Sequence, residues 1–206
     1  MIQKFDGYDK KYDEWFMKNE NLFMSELKLF KKALGDIENK RILSVGCGSG
    51  LFESYIDSRH IEGIEPSKDM GEIAKKRGVN VIKYGLIEDV DLPTYKKCRQ
   101  ALKKNGKLIL LDVPKESVYL LGKSLNTYDH DYLNGVMPAL PYPLALASSG
   151  VWHSTEKKID VLKSINFNDF QYLQTLIRNP LYTNEEVEDV QEGYKSGGYV
   201  AIIAKK

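Results

Sequence analysis

Residues 42–50 read Ile-Leu-Ser-Val-Gly-Cys-Gly-Ser-Gly. A short run of branched apolar residues ends in glycines at alternate positions, Gly46, Gly48 and Gly50. Leu51-Phe52-Glu53-Ser54-Tyr55-Ile56 follows at once and is compatible with a helix. The stretch reads as a buried strand, a tight turn and a helix start. Glycine tolerates positive φ and lets a ligand approach the backbone closely. The unpaired N–H groups of a helix start offer donors to polar atoms. A ligand is therefore expected against this turn.

Working outward, the N-terminal side carries Trp15, Phe16, Leu22, Phe23, Leu27, Phe30 and Leu34 at helical spacing, with Gly35 as a C-cap. On the C-terminal side a second strand fits His60–Glu65. Ser67 then caps a helix that runs to about Arg77 and stops at Gly78. A third strand fits Val79–Tyr84. Thr94 is expected to cap a helix over Tyr95–Lys104, ended by Asn105-Gly106, and Lys107–Val113 forms the next strand. Residues 114–153 are irregular and hold Pro138, Pro141 and Pro143, a pattern typical of a lid or binding loop. Ser154 or Thr155 caps a late helix to about Ile165, and strands near Phe170–Ile177 and Tyr199–Ala204 close the chain. Strands alternating with helices imply a parallel sheet covered on both faces.

Composition bounds the function classes. The 206 residues, 42% of them hydrophobic, fit one domain, 1–206. Thirty basic residues balance twenty-nine acidic ones, leaving no global field for nucleic acid or an anionic membrane. No apolar run reaches the roughly 18 residues of a membrane span, and no secretory signal pattern opens the chain, so a cytoplasmic location is expected. Cys47 and Cys98 are the two cysteines, which excludes a disulfide scaffold and a four-cysteine zinc site; no metal is expected. Cys47 reads either as part of the ligand turn or as a small buried filler.

Three ligand classes use a glycine turn after a first strand. A P-loop needs Gly-x-x-x-x-Gly-Lys-Ser/Thr, which does not occur here. A dinucleotide turn needs Gly-x-Gly-x-x-Gly, and the spacing Gly46-x-Gly48-x-Gly50 departs from it. A nicotinamide-dependent oxidoreductase with Glu65 on the ribose is thus disfavoured.

Ile42–Gly50 resembles motif I of the class I S-adenosylmethionine-dependent methyltransferases, and the chain is similar to their small-molecule branch, often called type 11. Gly63-Ile64-Glu65-Pro66-Ser67 with Met70 resembles the family's second strand and its acidic end. Gly85-Leu86-Ile87-Glu88 with Leu92-Pro93 resembles its third-strand loop, and Ala101–Leu110 its entry to strand five. Gly198-Tyr199-Val200-Ala201 resembles the final antiparallel hairpin, and Tyr12-Asp13-Glu14-Trp15-Phe16 the N-terminal cap. The resemblance implies an α/β, Rossmann-like three-layer sandwich, its sheet mostly parallel with an antiparallel C-terminal strand. Residues 1–36 would form a helical cap and 114–153 a substrate lid.

It also implies the cofactor S-adenosyl-L-methionine, held by Ser44, Gly46, Cys47, Gly48, Gly50, Glu65 and Pro66. Glu65 would accept the ribose hydroxyls, Ile87 and Glu88 would border the adenine, and Tyr8 and Tyr12 would fold over as a lid. The acceptor would be a small molecule, not nucleic acid. Transfer is an in-line displacement that mainly needs alignment and exclusion of water. A base is needed only if the acceptor must lose a proton, and His130, between two acids, is the candidate, against a reading as an exposed loop histidine.

Two departures stand out. Relatives usually carry an acid where this chain has Ser44; a charged hydrogen bond is worth roughly 1.5–3 kcal/mol against about 1 for a neutral one. Further on, Leu92-Pro93 runs directly into the next helix. Relative to the family, roughly twenty residues and the fourth strand are missing. That strand normally lies beside the first. The vacated ladder must be filled by strand five, or by a partner chain as in a strand-swapped homodimer, or the chain is a degenerate, non-catalytic S-adenosylmethionine-binding relative.

Overall fold

The computed structural model describes residues 7, 9–56, 61–84, 92–114, 154–178 and 185–206. Among the described residues, thirteen elements run in the order α1 (Asp9–Lys18), α2 (Glu20–Leu34), β1 (Ile42–Val45), α3 (Leu51–Ser54), β2 (Ile61–Glu65), α4 (Lys68–Lys76), β3 (Asn80–Tyr84), α5 (Leu92–Ala101), β4 (Lys107–Asp112), α6 (Thr155–Ser164), β5 (Asn168–Thr175), β6 (Gln191–Glu192) and β7 (Tyr199–Lys205). Among the described residues no helix is long and apolar enough to cross a membrane.

The described strands form two sheets. β1, β2 and β3 are parallel and lie in that order, with Ile42 opposite Ile61 and Val45 opposite Ile64. β4, β7, β5 and β6 form an antiparallel sheet, with Lys107 opposite Lys205 and Asp112 opposite Val200. Among the described residues β1 and β4 are both edges and do not pair with each other. Among the described residues no strand bridges β1 and β4, so the sheet is broken there, and strand five (β4 here) does not lie beside β1. On β1 the break leaves Leu43 and Val45 43% and 41% exposed.

The antiparallel half holds most of the core. Along β7, Ile202 and Ala204 face Tyr95 of α5 and Ile159 and Leu162 of α6, while Ala201 and Ile203 face Leu29 and Ala33 of α2. This period-two division lets one strand bury both faces. In the parallel half, α4 covers Ile61, Val79, Val81 and Cys47. The cap joins the halves: Phe16, Phe23 and Leu27 of α1 and α2 pack on Leu51 and Phe52 beside the glycine turn. Edge-on ring contacts there, such as Phe16–Phe52 at 5.3 Å, are favourable aromatic geometries.

Several boundaries differ from expectation. The N-terminal periodicity is split at Asn19, whose side-chain amide donates to Trp15 O at 2.8 Å, a local bond that competes with helix continuation. Thr94 is not a cap: α5 starts at Leu92 with Pro93 in its first turn, where a missing N–H costs nothing. The two-residue β6 carries no periodic signal and was not expected. Tyr8, Ile87, Glu88, His130 and residues 115–153 of the expected lid lie outside the described residues.

Candidate functional site

All three glycines of the turn have positive φ, +78° at Gly46, +56° at Gly48 and +69° at Gly50. Their reasons differ. A Cβ at Gly50 would sit 3.0 Å from the Ala74 backbone and from Val79, so this glycine lets the turn pack on α4. A Cβ at Gly48 would meet nothing within 4 Å, so this side of the turn is open to a ligand. Gly46 and Cys47 donate to Ile64 O at 2.8 and 3.2 Å, which seats the turn against the end of β2.

Glu65 terminates β2 and is 5% exposed. Its Oε2 accepts from Gly48 N at 2.8 Å and its Oε1 from Ser67 N at 2.9 Å. One carboxylate therefore ties the glycine turn to the start of α4, with Pro66 spanning the short distance between. Glu65 is therefore a buried, structurally bonded acid rather than a solvated one. Ser67 caps α4 as expected, accepting from Met70 N.

Ser44 donates its hydroxyl to Glu53 Oε1 at 2.7 Å. Glu53 comes from α3 and is buried; burial holds its carboxyl above the usual range, Glu65 adds to this, and the Ser44 hydrogen bond opposes it. A carboxyl from α3 thus lies against Ser44 from across the turn. Sequence reading missed this, although Glu53 lies one helical turn beyond Gly50. Cys47 is buried against the same two acids; burial first, then Glu53 and Glu65, push its thiol up to about 12. It is a filler of the turn without thiolate chemistry.

The cap is latched to this turn. Ser49 Oγ donates to Asp13 Oδ1 at 2.6 Å, Arg77 Nη2 lies 2.8 Å from Asp13 Oδ2, and Arg77 Nη1 donates to Ser49 O at 2.9 Å. Tyr12, one residue earlier on α1, lays its ring edge-on to Phe16 at 5.1 Å. The structure thus brings Tyr12, Ser44, Gly46, Cys47, Gly48, Gly50, Glu65 and Pro66 to the carboxyl ends of β1 and β2. Open α/β sheets place their ligands there.

No family model matches the chain. It is 28% identical to an uncharacterised protein of Methanocaldococcus jannaschii over 98% of both chains. That alignment spans 225 positions against 206 residues here, so the archaeal protein carries segments without counterpart in this chain. A Thermotoga maritima crystal structure described as a SAM-dependent methyltransferase, possible histamine N-methyltransferase, superposes with a TM-score of 0.76, 28% identity and 98% coverage of both chains. The plantazolicin methyltransferase BamL, crystallised with S-adenosylhomocysteine, superposes at 0.54 with 15% identity over 96% of this chain and 90% of its own. Strand order, glycine turn and these overlays agree: the chain has the Rossmann-like α/β fold of the class I S-adenosylmethionine-dependent methyltransferases.

Proposed function

We propose that this chain is an S-adenosylmethionine-dependent methyltransferase acting on a small-molecule acceptor, of the type 11 kind. The observation that carries the reading is the turn Gly46–Gly50, open at Gly48 and held by the buried Glu65 carboxylate at the end of a parallel sheet. The residues fit the cofactor. A polar, acid-lined turn suits an amino-acid and ribose moiety; Glu53 supplies carboxyl oxygens that suit the ammonium end, and Glu65 keeps acceptor capacity beside Gly48. When bound, the cofactor supplies an electrophilic methyl group. The chain's task is to orient the acceptor and keep water out, for which the latched cap of α1 and α2 is placed.

The break between β1 and β4 favours a second reading, a relative that binds the cofactor without turnover. The same open edges offer a second copy a place to add a strand, as in a strand-swapped homodimer; sedimentation at increasing concentration tests this, and a monomer throughout removes it. Incubation with methyl-labelled S-adenosylmethionine and a small-molecule acceptor panel tests the main reading. Label appearing in an acceptor supports it. S-adenosylhomocysteine binding without transfer to any acceptor favours the second reading, and no binding at all removes both.

A further inference from the structure

Helix α5 and the strand after it carry a charge imbalance that the near-neutral chain hides. Between Leu92 and Leu111 stand Lys96, Lys97, Arg99, Lys103, Lys104 and Lys107, and no acidic residue. Lys107 is taken up by α2, donating to Ala33 O and Leu34 O at 2.9 and 2.6 Å. Tyr95 and Leu102 turn α5 onto the core it shares with Ile159 and Leu162 of α6. Lys96, Arg99 and Gln100, at i, i+3 and i+4, then fall together on one flank of α5. There they line a cleft of about 290 Å³ with Ser164, Ile165 and Asn166 at the end of α6. The carbonyls that a helix C-terminus offers to a cation are used up here. Val161 O accepts from Ser164 Oγ at 2.7 Å, Leu162 O from Ile165 N and Phe167 N at 3.2 and 3.1 Å, and Lys163 O from Asn166 N at 2.9 Å. Among the described residues no ion pair or hydrogen bond engages the Lys96 ammonium or the Arg99 guanidinium, and Arg99 Nε is shut from solvent without a partner. An orphaned buried donor is destabilising, and in a native protein it points to an ion or ligand that completes it. The cleft stands apart from the glycine turn. Asn166 leads into Asn168, which with Lys107 flanks Lys205 at the amino end of β4, whereas the turn lies at the carboxyl end of β1.

We propose that this cleft is a second ligand site, for the phosphate group of a small molecule. A tetrahedral oxyanion takes two parallel N–H bonds from an arginine fork and a further charge-assisted bond from a lysine. Those are the donors that Arg99 and Lys96 hold unspent. No bond from the Arg99 guanidinium to the described protein has to break for its Nε edge to turn toward the cleft. Gln100 and Asn166 carry amides, and Ser164 Oγ, its proton committed to Val161 O, keeps acceptor capacity. Such neutral groups suit the organic part of a phosphate monoester. The volume is that of the smallest ligand sites, roughly 300 Å³, which fits a phosphorylated metabolite or the free ion rather than a polymer strand. The site makes no use of the methyltransferase reading and stands or falls without it.

The test titrates the full chain with inorganic phosphate and with glycerol phosphate, glycerol serving as the uncharged control. Calorimetry reads affinity, and proton–nitrogen NMR reads the arginine Nε–H signals. One saturable site with a Kd below about 1 mM is expected for at least one phosphate probe, with silence for glycerol. The Arg99 Nε–H signal, identified by its absence in Arg99→Lys, should move on addition of that probe. Arg99→Lys keeps the charge and loses the fork, so affinity should fall at least about tenfold. Lys96→Gln, at an exposed position where folding is not at stake, should weaken binding about threefold or more. Both variants should keep S-adenosylhomocysteine affinity within about twofold of wild type, because one lost contact at a separate site leaves the turn intact. Tighter binding of glycerol phosphate makes the ligand a phosphate monoester, and tighter binding of phosphate makes it the free ion; either supports the site. No saturable binding of either probe up to about 10 mM, wild-type affinity in both variants, or an unmoved Arg99 signal would each overturn it. A parallel fall in S-adenosylhomocysteine affinity would overturn it as a second site. A single-stranded oligonucleotide that binds with a steep loss in salt while both small probes stay silent would overturn it too, making α5 a polyanion surface.

Discussion

Replacing Glu65 by glutamine separates a carboxylate that builds the turn from one that merely lies near it. Both Glu65 oxygens accept backbone N–H bonds, from Gly48 at 2.8 Å and Ser67 at 2.9 Å, in a buried setting. Glutamine keeps one acceptor oxygen and presents an NH2 group on the other side. Whichever way the amide turns, one backbone N–H faces a donor. Bonds to a charged acceptor are worth roughly 1.5–3 kcal/mol each, so losing one and weakening the other should cost about 2–4 kcal/mol. For a chain of this size that lowers Tm by roughly 5–15 °C. Urea denaturation measures the stability, and calorimetry with S-adenosylhomocysteine measures binding. Both should fall, binding by at least about tenfold, a single hydrogen bond's worth. A variant within about 0.5 kcal/mol of wild type would refute the structural role, and a destabilised variant with unchanged affinity would refute the ribose role.

Other substitutions probe the rest of the site. Ser44→Ala removes the hydroxyl that donates to Glu53; it should cost about 1–2 kcal/mol in urea denaturation and weaken S-adenosylhomocysteine binding in calorimetry. Asp13→Ala breaks the contacts to Ser49 and Arg77. Amide hydrogen exchange in α1 should then accelerate while β7 stays protected, and unchanged exchange would deny the latch. The Glu26 carboxyl has its folded value raised to about 8 from 4.5, so the folded state holds the proton more tightly. Wild-type stability should therefore fall as pH rises from about 4.5 to 8, by roughly 3–5 kcal/mol. Glu26→Gln should flatten that slope and be the more stable protein at pH 9; parallel stability curves would contradict the buried acid.

Much of the parallel half was legible because its signals are local. Positive φ at Gly46, Gly48 and Gly50, the Ser67 cap and the Gly35 stop are each written in one residue and its neighbours. The break in the sheet was legible as well, since a missing strand shortens the chain between Pro93 and Lys107. What stayed hidden depends on contacts across the fold. Glu53 answers Ser44 from another element, and Asp13 reaches Ser49 across 36 positions. Glu26 sits at a core-facing helical position that periodicity assigns to an apolar residue, and that mismatch was the one signal that could have flagged it.

The central claim is that the turn at 46–50 is a sulfonium-nucleoside site. Calorimetric titration of the wild-type chain with S-adenosylhomocysteine and, in parallel, with NAD tests it most directly. The account predicts one saturable S-adenosylhomocysteine site per chain and no heat with NAD. Heat with NAD alone, or silence with S-adenosylhomocysteine up to about 1 mM, where binding would be weaker than roughly 4 kcal/mol, would contradict it.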